Sequence, residues 1–145
     1  MNQDVIFHRE FDPSLPDLIG DRDKLHQVFL NLIRNAVQAS PAKGRISIRT
    51  SYCSQWMLAS RNLDLHQEFY LVEIEDEGSG IDPIHEAHLF KPLFTTKSSG
   101  RGLGLSVSFR ILSEHGGLLQ YKRSKKGGAI FQVYVPREPL NVKTH

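Results

Sequence analysis

The sequence is poor in cysteine, in long apolar runs and in net charge, and each shortage excludes a class of protein. A single cysteine, Cys53, excludes an internal disulfide framework and is typical of a reducing compartment. No apolar run approaches the roughly 20 residues that a membrane helix needs, and the first residues lack a signal-peptide pattern. The formal charge of +2, carried by scattered basic residues, is too small to indicate nucleic-acid binding. We therefore expect a cytoplasmic protein without membrane or nucleic-acid contacts.

The composition is that of a folded domain. Hydrophobic residues make up 39% of the 145 residues and charged residues 23%, which argues against disorder. Hydrophobic periodicity predicts strands at 5–11, 45–52, 68–75, 118–122 and 129–135, helices at 25–40, 83–90 and 103–115, a hairpin excursion at 55–67 and a loop at 91–104. This order predicts an α/β two-layer sandwich, with helices on one face of a mixed sheet. We divide the chain into an N-terminal strand and entry loop (1–14), the body of the same domain (15–136) and a C-terminal tail (137–145).

The first long helix carries two asparagines one turn apart. Asn31 and Asn35 lie on one flank of the helix, at the edge of its apolar arc. Because asparagine is a mediocre helix former, the pair suggests amide oxygens directed at a cation or a nucleotide. Two solvated or capping asparagines explain this helix equally well. Asp21 is the expected N-cap, and Gly116 with Gly117 the expected C-cap of the second long helix.

A first glycine cluster follows the third predicted strand. Residues 76–80 read Asp-Glu-Gly-Ser-Gly, which places a carboxylate at the end of a buried strand and glycines two and four residues further on. Such a carboxylate accepts a hydrogen bond from an exocyclic amine such as that of adenine, and the glycines let the backbone approach a flat ring. Taken alone, this pattern favours an ordinary tight turn.

A second glycine cluster, at residues 100–105, opens the second long helix. Glycines at alternate positions expose backbone N–H groups where a helix N-terminus favours an anion, although a flexible hinge is the alternative interpretation. The spacing matches neither the dinucleotide-binding fingerprint nor the phosphate-binding P-loop. The polar residues 95–99 upstream suit a lid with Lys97 as its cation. Phe90 and Phe94 are candidates for anchoring that lid, for a partner contact, or for plain core packing.

The order of these blocks is more specific than any one of them. Paired asparagines, the Asp-x-Gly-x-Gly turn, the phenylalanine pair, the Gly-x-Gly-Leu-Gly-Leu helix start and a glycine hairpin together resemble the catalytic, ATP-binding domain of bacterial sensor histidine kinases over residues 15–136. The segment around Trp56 and the lid at 94–97 most resemble the nitrogen-regulation (NtrB) type. The resemblance implies the Bergerat ATP-binding fold, with ATP and Mg²⁺ as cofactors.

The resemblance also implies roles for residues. Asn35 would hold Mg²⁺, Asp76 would accept from the adenine amino group, and Asn31, Lys97 and Arg101 would lie near the reacting phosphate as catalytic groups. The implied cofactor-binding set is Asn31, Asn35, Asp76, Gly78, Gly80, Ile81, Phe90, Phe94, Thr95, Thr96, Lys97, Gly100, Arg101, Gly102, Leu103, Gly104 and Leu105. Three residues depart from the family pattern and leave the ATP affinity open: Gln38, Arg101 and Ala129.

The implied reaction transfers the γ-phosphoryl group of ATP to a histidine of a separate dimerisation domain, for relay to the receiver domain of a response regulator. None of the seven histidines fits the acceptor motif, so we expect an excised, monomeric fragment, with a nitrogen-signalling regulatory protein as a possible further partner. One alternative is a standalone ATPase or Ser kinase of the same fold, but those proteins carry a glutamate where Asn31 stands. A non-catalytic docking module is the other, and the intact Asn35 and Asp76 argue against it.

Overall fold

The computed structural model describes residues 4–15, 17–53, 68–90 and 102–137. These ranges form five strands, β1 (Ile6–Glu10), β2 (Arg45–Cys53), β3 (Phe69–Glu75), β4 (Leu118–Arg123) and β5 (Ala129–Pro136), and three helices, α1 (Arg22–Ala39), α2 (Pro83–Glu86) and α3 (Gly102–Glu114). The strands make one sheet in the order β1-β2-β3-β5-β4. β1 is parallel to β2 and the other pairs are antiparallel. No helix in these ranges has the length and apolar content to span a membrane.

The predicted two-layer sandwich is confirmed, because α1 and α3 pack on one face of this mixed sheet. The buried residues of α1 recur at helical spacing and meet inward-facing residues of β2, β3 and β5. The residues of this main core with at most 1% exposure are Val28, Leu32, Ala36, Ile46, Ile74, Leu112, Phe131, Val133 and Val135. A smaller cluster of Phe69, Leu118 and Tyr134 is also buried. Residues of β3 and β5 contribute to both clusters, so these two strands connect the main core to the smaller one.

The helix ends follow the predicted capping residues. The Asp21 side chain accepts from the backbone N–H of Lys24 at 3.1 Å, which satisfies one of the unpaired donors at the start of α1. Ser40 adopts an extended backbone before Pro41, which ends α1. Beyond α3, Gly116 has a φ of +77°, the left-handed conformation expected of a glycine that closes a helix.

Three of the predicted elements differ from the structure. The half-buried strand predicted at 5–11 was wrong in its burial, because all five residues of β1 are exposed at the edge of the sheet. The helix predicted at 83–90 is only the four-residue α2, which continues in single turns closed by His88 and Leu89. The loop predicted up to residue 104 was too long, since α3 already begins at Gly102. The hairpin excursion predicted at 55–67 lies outside the described residues.

A histidine fixes the start of α1 against the end of α3. Nε2 of His115 accepts from the backbone N–H of Asp21 at 3.1 Å, and its Nδ1 lies 2.9 Å from the carbonyl oxygen of Ile111. These two partners require the neutral tautomer that carries its proton on Nδ1. The contact holds the two long helices side by side, which sets the position of the asparagines of α1 relative to the first turn of α3.

Two leucines of α1 test this packing. Leu32 is fully buried and Leu30 is 39% exposed, although both lie on the same helix two residues apart. We expect Leu32→Ala to lower the free energy of unfolding by about 2–5 kcal/mol, because it removes buried methyl groups and leaves a cavity. Leu30→Ala should change it by less than about 0.5 kcal/mol. Urea denaturation of both variants measures this, and equal losses would contradict the packing described.

Candidate functional site

Asp76 is a buried carboxylate at the end of β3. The residue is 2% exposed, and its backbone N–H donates to the carbonyl of Ala129 at 2.9 Å, one step beyond the β3–β5 ladder. Its Oδ1 accepts from the backbone N–H groups of Gly78 at 2.8 Å and Ala129 at 3.2 Å. These two donors fix the orientation of the carboxylate. Sequence reasoning singled out this residue, and the structure shows how it is held.

Two glycines next to this carboxylate are packed against backbone carbonyl groups and leave no space for a side chain. A Cβ on Gly78 would lie 2.5 Å from the carbonyl oxygen of Ala39, at the end of α1. A Cβ on Gly128 would lie 2.1 Å from the carbonyl oxygen of Asp76. The loop after β3 is therefore packed between the last turn of α1 on one side and the β4–β5 hairpin on the other.

The two asparagines share a small pocket with the first turn of α3. Asn31, Arg34, Asn35, Gly104 and Leu105 line it. Nδ2 of Asn31 lies 3.5 Å from the carbonyl oxygen of Gly104 and 3.4 Å from the hydroxyl of Ser108, at the long limit for hydrogen bonds. The structure thus brings together four of the residues predicted to bind the cofactor, Asn31, Asn35, Gly104 and Leu105.

Helix α1 joins this pocket to Asp76. Ala39 contacts the glycine loop, and Asn35 lies one helical turn before it, about 6 Å along the axis. The last turn of α1 therefore connects the loop that follows Asp76 to the pocket of the two asparagines. Sequence spacing alone does not give this, because Asn35 and Asp76 are far apart in the chain.

The remaining predicted site residues divide into three groups. Ile81 is half-buried in the loop after β3, and Gly80 precedes it with a φ of +75°. Phe90 stacks on Phe109 of α3, with ring centroids 5.2 Å apart, and its cofactor contact stays a prediction. Residues outside the described ranges are Phe94, Thr95, Thr96, Lys97, Gly100 and Arg101, while Gly102 and Leu103 are described only as backbone of α3.

Sequence reasoning missed several residues at this site. Arg34 lines the asparagine pocket, and its spacing of three from Asn31 could have indicated this. Tyr121 and Arg123 of β4 contact the backbone of Ile81, and no local signal connects positions so distant in sequence. These contacts depend on how β4 is placed beside the loop, which only the folded sheet determines.

An acidic side chain attaches the hairpin to the end of β3. Burial alone would raise the pKa of Glu75, but hydrogen bonds from the Ser124 hydroxyl and from Arg49 outweigh it and hold that pKa below its usual value. Nη2 of Arg49 lies 3.0 Å from Oε1 of the same carboxylate. Glu75 is therefore charged at neutral pH and ties the first residue of the hairpin turn to the strand that carries Asp76.

The fold and this site define a family. Residues 20–139 match the model of the histidine kinase-, DNA gyrase B- and HSP90-like ATPases. The chain belongs to this family. Its most similar relatives include the sensory histidine kinase/phosphatase NtrB of Azospirillum brasilense, 39% identical over 92% of this chain and 34% of that protein. The signal transduction histidine-protein kinase AtoS of Escherichia coli is 39% identical over 97% of this chain and 21% of that protein.

Solved structures agree with the sequence matches. The catalytic domain of histidine kinase ThkA superposes with a TM-score of 0.76 at 29% identity, covering 94% of this chain and 81% of that one. ThkA in complex with the response regulator protein TrrA gives 0.71 at 27% identity, covering 93% of this chain and 35% of that one. The chain spans about a third of the length of the NtrB relative and a fifth of AtoS.

Glycine substitutions separate close packing from open space at this site. Gly78→Ala should lower the free energy of unfolding by about 1–3 kcal/mol, because its Cβ would collide with backbone. Gly104→Ala should leave it unchanged or raise it by up to about 1 kcal/mol, since its Cβ would lie 3.9 Å from Asn31 in a helix that gains from alanine. Thermal and urea unfolding measure both. A destabilised Gly104→Ala variant would show that the first turn of α3 is packed more tightly than described.

Proposed function

We propose that the chain binds ATP with Mg²⁺ and is the catalytic domain of a sensor histidine kinase, transferring the γ-phosphoryl group to a histidine of a separate dimerisation domain. The observation that carries this is Asp76, a buried carboxylate oriented by two backbone donors beside the helix that bears Asn31 and Asn35. Family membership and the kinase relatives support it.

Asp76 suits the amino group of adenine. An ionised carboxylate only accepts hydrogen bonds, and adenine presents a donor where guanine presents a carbonyl oxygen. Two glycines of the same loop, Gly78 and Gly80, are packed against the backbone of Ala39 and Gly127, which fixes the shape of the loop beside the carboxylate. The half-buried Ile81 would add an apolar contact. This end of the site would therefore select adenine by charge and shape together.

The asparagine pocket suits the phosphates and their metal. Mg²⁺ takes oxygen ligands, keeps several waters and is often bound through one or two protein groups and the substrate phosphates, so the half-buried amide of Asn35 fits it without a cluster of acids. Bound Mg²⁺ supplies neutralisation of phosphate charge. Arg34 adds a cation to the same pocket, whereas Gln38, which departs from the family pattern, carries no charge. The first turn of α3 supplies backbone N–H groups.

Asn31 favours phosphoryl transfer to a protein over hydrolysis. Its amide cannot remove a proton from water, and its nitrogen is directed at Gly104 and Ser108 of α3. Transfer to an imidazole needs mainly positioning and charge stabilisation from this domain. Lys97 and Arg101 are proposed to act near the transferred group. A standalone ATPase is correspondingly disfavoured.

The proposed partners follow from the assignment as a histidine kinase catalytic domain. They are the dimerisation domain that carries the phosphoacceptor histidine and the receiver domain of a response regulator, and the solved complex of ThkA with TrrA supports the second. The NtrB resemblance supports a cytoplasmic role in nitrogen regulation with a nitrogen-signalling regulatory protein. We propose that the chain alone is monomeric and that the dimer forms through the other domain.

The substitution Asp76→Asn, which replaces one carboxylate oxygen by an amide NH₂ group, tests the adenine end of the proposed site. The wild-type chain should bind ADP at least about tenfold more tightly than GDP, because guanine would direct its O6 at the carboxylate. Asp76→Asn keeps an oxygen for the two backbone donors but replaces the second acceptor with a donor, so it should weaken ADP binding and reduce the preference. Titration calorimetry measures both ligands. An unchanged ADP affinity and preference in this variant would refute the assignment.

Metal dependence tests the phosphate end. Adding Mg²⁺ should strengthen binding of a non-hydrolysable ATP analogue by wild type, and Asn35→Ala should remove most of that gain while leaving metal-free ADP binding within about threefold. Gln38→Ala, one turn further along α1 and exposed, is the matched control and should keep the gain. Titration calorimetry with and without Mg²⁺ measures this gain in affinity. If Asn35→Ala keeps the full gain, Asn35 is not the Mg²⁺ ligand.

A further inference from the structure

Both backbone polar groups of Ile81 are held by side chains of β4. The N–H of Ile81 donates to the hydroxyl of Tyr121 at 3.1 Å, and its carbonyl oxygen accepts from Nη2 of Arg123 at 3.0 Å. Loop backbone is more often paired locally or with water. Here two side chains of one strand, 40 and 42 residues away in sequence, fix a single loop residue.

These two side chains project from a well-supported position. Tyr121 and Arg123 are two residues apart in β4, so they lie on the same face of the strand. The half-buried Tyr121 ring packs against the core, tilted against Phe131 with ring centroids 5.7 Å apart. Nη1 of Arg123 also reaches the carbonyl of Gly127 at 3.5 Å, within the hairpin turn. The hydroxyl and the guanidinium are thus carried by the sheet rather than by a second loop.

The rest of the loop also rests on the β4–β5 hairpin. A Cβ on Gly80 would lie 2.6 Å from the carbonyl oxygen of Gly127, and one on Gly128 would lie 2.1 Å from that of Asp76. The N–H of Ala129 reaches the Asp76 carboxylate at 3.2 Å. The loop therefore contacts β4 and the β4–β5 hairpin at Asp76, Gly80 and Ile81, and Tyr121 with Arg123 form the last of these attachments.

We propose that Tyr121 and Arg123 are positioning residues of the adenine pocket, acting through Ile81. The inference rests on the proposed function, because the loop they hold carries the residues assigned to the base. A loop that is already in its bound conformation loses less freedom when a ligand binds, so its affinity is higher. Neither residue needs to touch the nucleotide for this effect.

The test combines four variants of the chain with titration calorimetry. Tyr121→Phe removes one acceptor and keeps the ring, and Arg123→Met removes the donors and keeps most of the apolar stem. We expect each to weaken ADP binding by about three- to tenfold, in line with the loss of one hydrogen bond, and to lower the ADP-to-GDP preference. Arg123→Lys keeps a donor and should recover most of the affinity. Lys122→Met, the neighbour on the opposite face of β4, should bind as wild type does.

The preference between bases distinguishes positioning from a general loss of structure. A variant that only lowers the folded fraction weakens ADP and GDP by the same factor, whereas a displaced adenine pocket loses ADP affinity selectively. Wild-type affinity and base preference in both Tyr121→Phe and Arg123→Met would overturn this inference and leave the proposed function standing. An equal loss of affinity for ADP and GDP would do the same. No ADP binding by the wild-type chain would refute the proposed function and overturn the inference with it.

Discussion

The contact between Asp76 and the start of β5 is the constraint on which the site depends. One residue, Ala129, donates to the Asp76 carboxylate and accepts from the Asp76 backbone, so strand pairing and side-chain orientation are set together. Gly128 allows this because any side chain there would overlap the Asp76 carbonyl. Since the pair lies at the end of the central β3–β5 ladder, the carboxylate inherits the rigidity of the core rather than that of a loop.

From this point the site extends in two directions. In one direction, the loop after β3 packs against Ala39 at the end of α1. In the other, Asn35 and Asn31 of α1 lie beside the first turn of α3. At the other end of the helix pair, the hydrogen bond from the Asp21 N–H to His115 holds the end of α3 beside the start of α1. The site residues therefore come from two helices and from the end of the sheet: the amides from α1, a helix start from α3, and the carboxylate that follows β3.

Much of this arrangement could be predicted from sequence where the signal is local. Helical spacing gave α1, an acidic cap gave its start, and a strand running into Asp76 gave the carboxylate at the sheet end. The burial of β1 could not be predicted, because alternation tells which residues share a face but not whether a helix covers that part of the sheet. The contacts of Tyr121 and Arg123 with Ile81 escaped for a related reason, since they depend on how distant strands align.

The contact of Gly78 with Ala39 has a consequence for local unfolding. A helix usually frays first at its ends, where the last carbonyls lack partners within the helix. At the end of α1 the last carbonyl is instead covered by the glycine loop. Fraying of this helix end therefore requires the loop to lift, so the two segments should open and close as one cooperative unit. A ligand that orders the loop would then protect the backbone amides of the final turn of α1, at residues it never touches.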